Sequence, residues 1–189
     1  MSTATTSPPN KLTAADLSAM PDEKNFELID GQLVERTVGS ESSKITARLL
    51  AFLLIYCDKA NLGTVFGPDT GYQCFSHDSQ RIRRPDVSYL SFERFAEDEP
   101  NVGYIPIPPD LAAEVVSPGD LALEVDNKVA EYLAAGVRLV WVIYPTTGQV
   151  LVYNSAGGRI LSLADELSGE DVIPGFRLKI SELLRKPGE

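Results

Sequence analysis

Apolar positions recur along the chain with two different periods, and the changes from one to the other mark out its elements. Ile45, Leu49, Phe52, Leu53 and Tyr56 fall at helical spacing. They predict a long helix, opened by Gly39 and Ser40 and closed at Asn61-Leu62-Gly63. Upstream, Thr13 with Asp16 three residues later reads as a helix start, giving a short helix to about Met20 that Pro21 closes. In FELIDGQLVERTV, Asp30-Gly31 separates two strand-like runs, the signature of a hairpin. Strands are expected at Thr64–Phe75 and Ile82–Leu90, on either side of the polar turn Ser76–Gln80. A proline-rich, acidic loop then leads to Pro109.

Leu111–Val116 is a short buried strand stopped by Ser117-Pro118-Gly119-Asp120. A helix follows from Leu123 to Ala135, with Gly136 as its natural terminator. Residues 137–144, VRLVWVIY, are apolar except for Arg138, which predicts a central strand covered on both faces. Gln149–Asn154 pairs back across the turn Thr146–Gly148. The remainder holds one more short strand, a Pro174-Gly175 turn and a helix near Ile180–Leu184. Residues 1–10, rich in Ser, Thr and Pro, read as a disordered tail, and residues 11–189 as a single domain. The order predicts an α/β fold with a mixed central sheet flanked by helices.

Composition narrows the function. The 189 residues carry a net charge of −10, so the chain is no general coat for a polyanion. Any action on nucleic acid needs a local basic patch or bound cations. The longest apolar run, Leu49 to Cys57, is far short of the roughly 18 residues of a membrane span, and no secretory leader is legible at the N-terminus. A cytoplasmic location is the expectation. Cys57 and Cys74 lack the spacing of a zinc site and read as reduced core thiols. His77, the single histidine, sits in a polar turn and reads as exposed.

The informative residues are polar ones in apolar places. Glu114 lies inside Leu-Ala-Ala-Glu-Val-Val, and a carboxylate buried there must be paired, protonated or bound to a cation. Asp86 follows Pro85 where a strand becomes regular, and with Glu114 and a backbone carbonyl it matches the oxygen ligands of Mg²⁺. Lys128 shares a helix stripe with Val125, Val129 and Tyr132, so its ammonium either reaches solvent or turns over the strand ends toward Glu114. Arg81, Arg83, Arg84 and Arg94 form the basic cluster nearest these positions, either as solvated charges or as phosphate contacts.

The segments FELIDGQLVE, GYQCF, RIRRPDVSYL, PDLAAEVVSPGD and KVAEYLAAGVRLVWVIYP, in this order, resemble the Uma-type restriction-endonuclease family, a branch of the PD-(D/E)XK nuclease superfamily; LSGEDVIPGF resembles one group within it. The resemblance covers residues 26 to about 180 and implies a restriction-endonuclease-like core in αβββαβ order. It implies that Asp86 is the motif aspartate and Glu114 the first residue of the (D/E)XK element, with Glu27 a further acidic position. The residue two beyond Glu114 is Val116 rather than lysine, and Lys128 in the next helix matches the family's displaced lysine. Where members often carry a histidine, at the start of the first long helix, this chain has Ser42 and Ser43.

The implied chemistry is hydrolysis of nucleic-acid phosphodiesters, in DNA first of all. Mg²⁺ or Mn²⁺ would sit on Asp86, Glu114 and the Val115 carbonyl, and Arg83 and Arg84 would meet phosphate. A homodimer would supply two sites for cutting both strands. A nuclease fold that no longer cleaves and serves as a binding or regulatory module is the alternative, and a smaller phosphate ester is an alternative substrate.

Overall fold

The computed structural model describes residues 11–37, 39–95 and 103–185. The tail expected at residues 1–10 and part of the loop before Pro109 lie outside them. The described chain begins with a short helix α1 (Ala14–Ser18), capped by Thr13, whose hydroxyl accepts from the Asp16 N–H while the Asp16 carboxylate accepts in return. A hairpin of β1 (Phe26–Ile29) and β2 (Gln32–Glu35) turns at Asp30 and Gly31, both at positive φ, as that tight turn requires.

Next comes α2 (Ser40–Ala60), which ends as Asn61 enters the left-handed region. The central sheet runs β3 (Gly63–Phe66), β4 (Val87–Ser91), β5 (Leu111–Val115), β6 (Leu139–Tyr144), β7 (Gln149–Asn154) and β8 (Gly157–Leu161), in that spatial order. β5 and β6 are parallel and the other neighbours antiparallel. The crossover between the parallel pair is α3 (Ala122–Ala135), ended by Gly136 at positive φ. A small ribbon of β9 (Glu166–Ser168) and β10 (Arg177–Lys179) leads into α4 (Ile180–Leu183). From α2 to β6 the order is αβββαβ, as the resemblance implies.

The sheet separates two apolar layers. On one face Ile45, Leu49 and Leu53 of α2 pack on Tyr89, Ala113, Val115, Trp141 and Ile143. On the other, Val125, Val129 and Tyr132 of α3 pack on Ala112, Val140 and Val142. Strand alternation therefore turns Leu111, Ala113 and Val115 to α2, and Ala112 and Glu114 to α3.

Three expectations about strands are corrected. The strand expected over Thr64–Phe75 stops at Phe66, because Pro68 lacks an N–H and the chain turns at Gly67, whose carbonyl accepts from Thr70. Tyr72 then makes only single bridges, to Arg83 and Ile105. The strand expected over Ile82–Leu90 has a ladder that begins after Pro85, at Val87; Ile82 is bridged instead to Leu28 of the hairpin. That bridge fixes the hairpin beside β4. The C-terminal part holds β8, β9 and β10 where one strand was expected.

Candidate active site

Backbone register brings Asp86 and Glu114 together. The last pair of the β4–β5 ladder is Val87 with Ala113, so the next step sets Asp86 abreast of Glu114 on the α3 face. Asp86 Oδ2 accepts from the Val115 N–H at 2.8 Å, which ties its carboxylate to the end of β5. Val115 thus meets the site through its N–H. Asp86 Oδ1 faces Arg36 Nη2 at 3.4 Å.

Glu114 is buried, and both of its oxygens are held from α3. Tyr132 donates its hydroxyl to Oε1 at 2.7 Å, and Lys128 Nζ lies 3.2 Å from Oε2. Lys128 and Tyr132 are four residues apart, so one helix face presents both donors. Lys128 Nζ also lies 3.5 Å from Oε2 of Glu27, which β1 brings in from the hairpin. Glu27 in turn accepts from Arg83 Nη1 at 2.9 Å and from the Arg84 N–H at 2.8 Å. Arg83 Nε reaches Glu131 of α3 at 2.7 Å, and Arg81 pairs with the same Glu131. Hairpin, β5 and α3 are locked together by this chain of alternating charges.

Charge and burial tune the groups in opposite senses. Burial raises Glu114 to about 7, the neighbouring charges of Asp86 and Glu27 push the same way, and Lys128 only partly offsets them. Burial also raises Asp86, against the Val115 N–H and the charges of Lys128 and Arg36. Burial works to raise Glu27 too, but Lys128, Arg83 and two hydrogen bonds overcome it and hold Glu27 below the usual range. For Lys128 burial favours the neutral amine, yet the carboxylates of Glu114 and Glu27 outweigh it and keep the group above its ordinary value. Burial and the nearby carboxylates hold the Tyr132 hydroxyl protonated, as a donor must be.

A pH dependence follows. A carboxyl that holds its proton more tightly folded than unfolded stabilises the fold fully below its unfolded value and loses that contribution as pH rises through its folded value. Glu114 and Asp86 both act in this sense, and Glu114 does so up to about 7. The metal-free protein is therefore expected to lose melting temperature between about pH 4.5 and pH 7, and Glu114→Gln to flatten that slope. Equal slopes in the two proteins, followed by calorimetry, would contradict the assignment.

These residues border a cleft of about 320 Å³, which Val34, Arg36, Asp120 and Glu124 also line. Carboxylates outnumber cations on its wall. Among the described residues no three or more His, Cys, Asp or Glu side chains are gathered so as to hold a metal. What the site offers is two oxygen ligands with raised proton affinity, and Mg²⁺ is commonly held by one or two carboxylates while it keeps several waters. The donor chemistry fits such an ion, and so does the need for positive charge where buried Glu114 and half-buried Asp86 lie side by side.

Arg84 departs from the role expected for it. It is turned away from the cleft, bonded to the Phe26 and Asp69 carbonyls and to Glu23, with its guanidinium over Tyr104. Arg83 lines the cleft but is buried and shared between Glu27 and Glu131. A buried guanidinium requires such partners: Arg84 is taken up away from the cleft, and Arg83 has its Nε and Nη1 committed to Glu131 and Glu27. Arg94 lies elsewhere, on Asp110. His77 is exposed, as expected, and both cysteines are free. Ser42 is buried, and its hydroxyl lies 2.7 Å from that of Ser117 just beyond β5. Sequence reasoning missed Tyr132, Glu131 and Arg36. Tyr132 was legible in principle, since it shares the Lys128 stripe and a buried tyrosine needs a partner for its hydroxyl.

Fold and site together define a restriction-endonuclease-like domain with an acidic pair at the end of two central strands. The chain belongs to the Uma2 family, described as "Putative restriction endonuclease", which matches residues 14–181. Its fold is similar to the crystal structure of a "putative nuclease belonging to DUF820" from Anabaena variabilis, with a TM-score of 0.79 and 18% identity over 92% of this chain and 97% of that one. No curated protein matches. Among the described residues no helix is long and apolar enough to cross a membrane.

Proposed function

We propose that the chain is a nuclease that hydrolyses phosphodiester bonds in DNA with Mg²⁺ or Mn²⁺ at Asp86 and Glu114. The observation that carries this reading is Lys128: its ammonium lies on Glu114, at the acidic pair, rather than in bulk water. Half-buried between the carboxylates of Glu114 and Glu27, this cation is in reach of the charge that would build on a phosphate at the acidic pair. Family membership supports the same chemistry.

The bound cation would polarise the phosphate and acidify a water ligand. Asp86 and Glu114, with the Val115 carbonyl beside them, would hold it, and the Val115 N–H and Tyr132 hydroxyl fix the directions of the two carboxylates. Lys128 stays charged, so it serves as a donor to the phosphate oxygens and not as a base. Glu27 keeps Lys128 in place and so acts as a positioning residue. Water would add to phosphorus as it gives a proton up to solvent, the bond to the leaving sugar oxygen would break as that oxygen takes a proton from solvent, and the charge that builds on phosphate would face Lys128. Two copies of the chain would supply two such sites for a double-strand cut.

Trials with supercoiled plasmid, single-stranded DNA, RNA and nucleotides in Mg²⁺ test the substrate. Plasmid is expected to be nicked or linearised, and chelation to stop the reaction. Turnover of nucleotides alone would replace DNA with a small phosphate ester, and no turnover of any of them would favour the binding module.

A further inference from the structure

The cations that line the cleft, Arg36, Arg81, Arg83 and Lys128, are not held alike. Arg81 contacts the carboxylates of Asp30, Asp78 and Glu131, Arg83 those of Glu27 and Glu131, and Lys128 those of Glu27 and Glu114. Among the described residues Arg36 has Asp86 alone as a carboxylate partner, at 3.4 Å, and its other side-chain bond, to the Lys24 carbonyl, is 3.3 Å long. Its backbone is anchored, because the Arg36 N–H donates to the Asn25 carbonyl at 2.9 Å. A fixed backbone thus carries a long, loosely held cationic arm at the cleft.

The oxygen that this arm touches matters. Asp86 Oδ2 is committed to the Val115 N–H, so Oδ1 is the oxygen left for a cation, and Oδ1 is the one Arg36 contacts. We propose that Arg36 is the exchangeable counter-ion of Asp86, yielding Oδ1 to an entering divalent cation and then turning its fork to a phosphate oxygen of the substrate. This rests on the cation reading of Asp86 and Glu114 given above. Guanidinium suits the second task, since its planar donors match phosphate in a way a point charge does not. It also answers how an acidic cleft accepts a polyanion: the positive charge that faces phosphate is released only when the cation is in place.

The exchange makes two effects of opposite sign. Removing Arg36 frees Oδ1, so Mn²⁺ alone is expected to bind Arg36→Gln roughly three- to tenfold more tightly than wild type. Inorganic phosphate, titrated into the Mn²⁺-loaded protein, is expected to bind Arg36→Gln several-fold more weakly. Arg36→Lys keeps the charge but not the fork, so it should hold Mn²⁺ near the wild-type affinity and still lose phosphate affinity. Mn²⁺ binding is read by electron paramagnetic resonance of the free ion and phosphate binding by calorimetry, each beside a thermal melt.

Unchanged or weaker Mn²⁺ binding by a folded Arg36→Gln protein overturns the exchange. If that variant does not fold, unimpaired phosphate binding by Arg36→Lys overturns it. Asp86→Ala separates the two levels of inference. Wild-type Mn²⁺ affinity in Asp86→Ala removes the metal reading itself, whereas loss there with no gain in Arg36→Gln removes only the role of Arg36.

Discussion

Asp86→Ala is expected to fold, to melt within a few degrees of the wild type, and to lose cleavage by at least about three orders of magnitude, more than one oxyanion-hole donor contributes. The loss is expected because this side chain is half of the acidic pair, and Glu27, the other carboxylate near Glu114, is already taken up by Arg83 and the Arg84 N–H. The small effect on stability has two opposing sources. Truncation deprives the Val115 N–H of its acceptor and Arg36 of its partner, at a cost of about 1–2 kcal/mol. Removing a half-buried charge that pushes Glu114 toward protonation relieves repulsion and offsets part of that cost. Steady-state cleavage in Mg²⁺ beside a thermal melt checks both halves. A large drop in stability with residual activity in the folded fraction would make Asp86 a structural residue.

Glu27→Ala is expected to have the largest effect on folding, a loss of roughly 3–5 kcal/mol, as when one partner is removed from a buried ion pair. Glu27 is 2% exposed and holds Arg83, Lys128 and the Arg84 N–H at once. Without it the hairpin keeps its bridge at Leu28 and Ile82, the Arg84 bond to the Phe26 carbonyl and the Asp30–Arg81 pair, but loses its tie to Lys128 of α3. Arg83 keeps Glu131 and Lys128 keeps Glu114, so the loss is expected toward the lower end of that range. Urea unfolding measures it. A loss under about 1 kcal/mol would mean that the charge chain is not what joins the hairpin to α3.

The candidate pair was legible because it breaks a local rule. An acid in LAAEVV and an acid after a proline are visible without a structure, and the αβββαβ order could be read from periodicity alone. Lys128 was legible for the same reason, as a charge on a stripe that otherwise reads as apolar. Arg83 and Arg84 were misjudged because their partners are distant in sequence: Glu131 lies 48 residues from Arg83, and Glu27 lies 56. Charge density in RIRRPD says nothing about which acids the fold will bring to it. The strand ends fall short of the apolar pattern where proline removes a donor, at Pro68 and Pro85. Arg36 carried no signal, since an arginine after a hairpin is ordinary until register shows which carboxylate oxygen it meets.

Whether Asp86 and Glu114 form a cation-dependent hydrolytic site is decided by nicking of supercoiled plasmid. Wild type and Glu114→Ala would be compared in Mg²⁺, in Mn²⁺ and in chelator, with folding of both checked by circular dichroism. Wild type is expected to nick the plasmid in either metal and not in chelator, and the folded Glu114→Ala protein not to nick it at all. Metal-dependent nicking by Glu114→Ala at the wild-type rate would contradict that assignment.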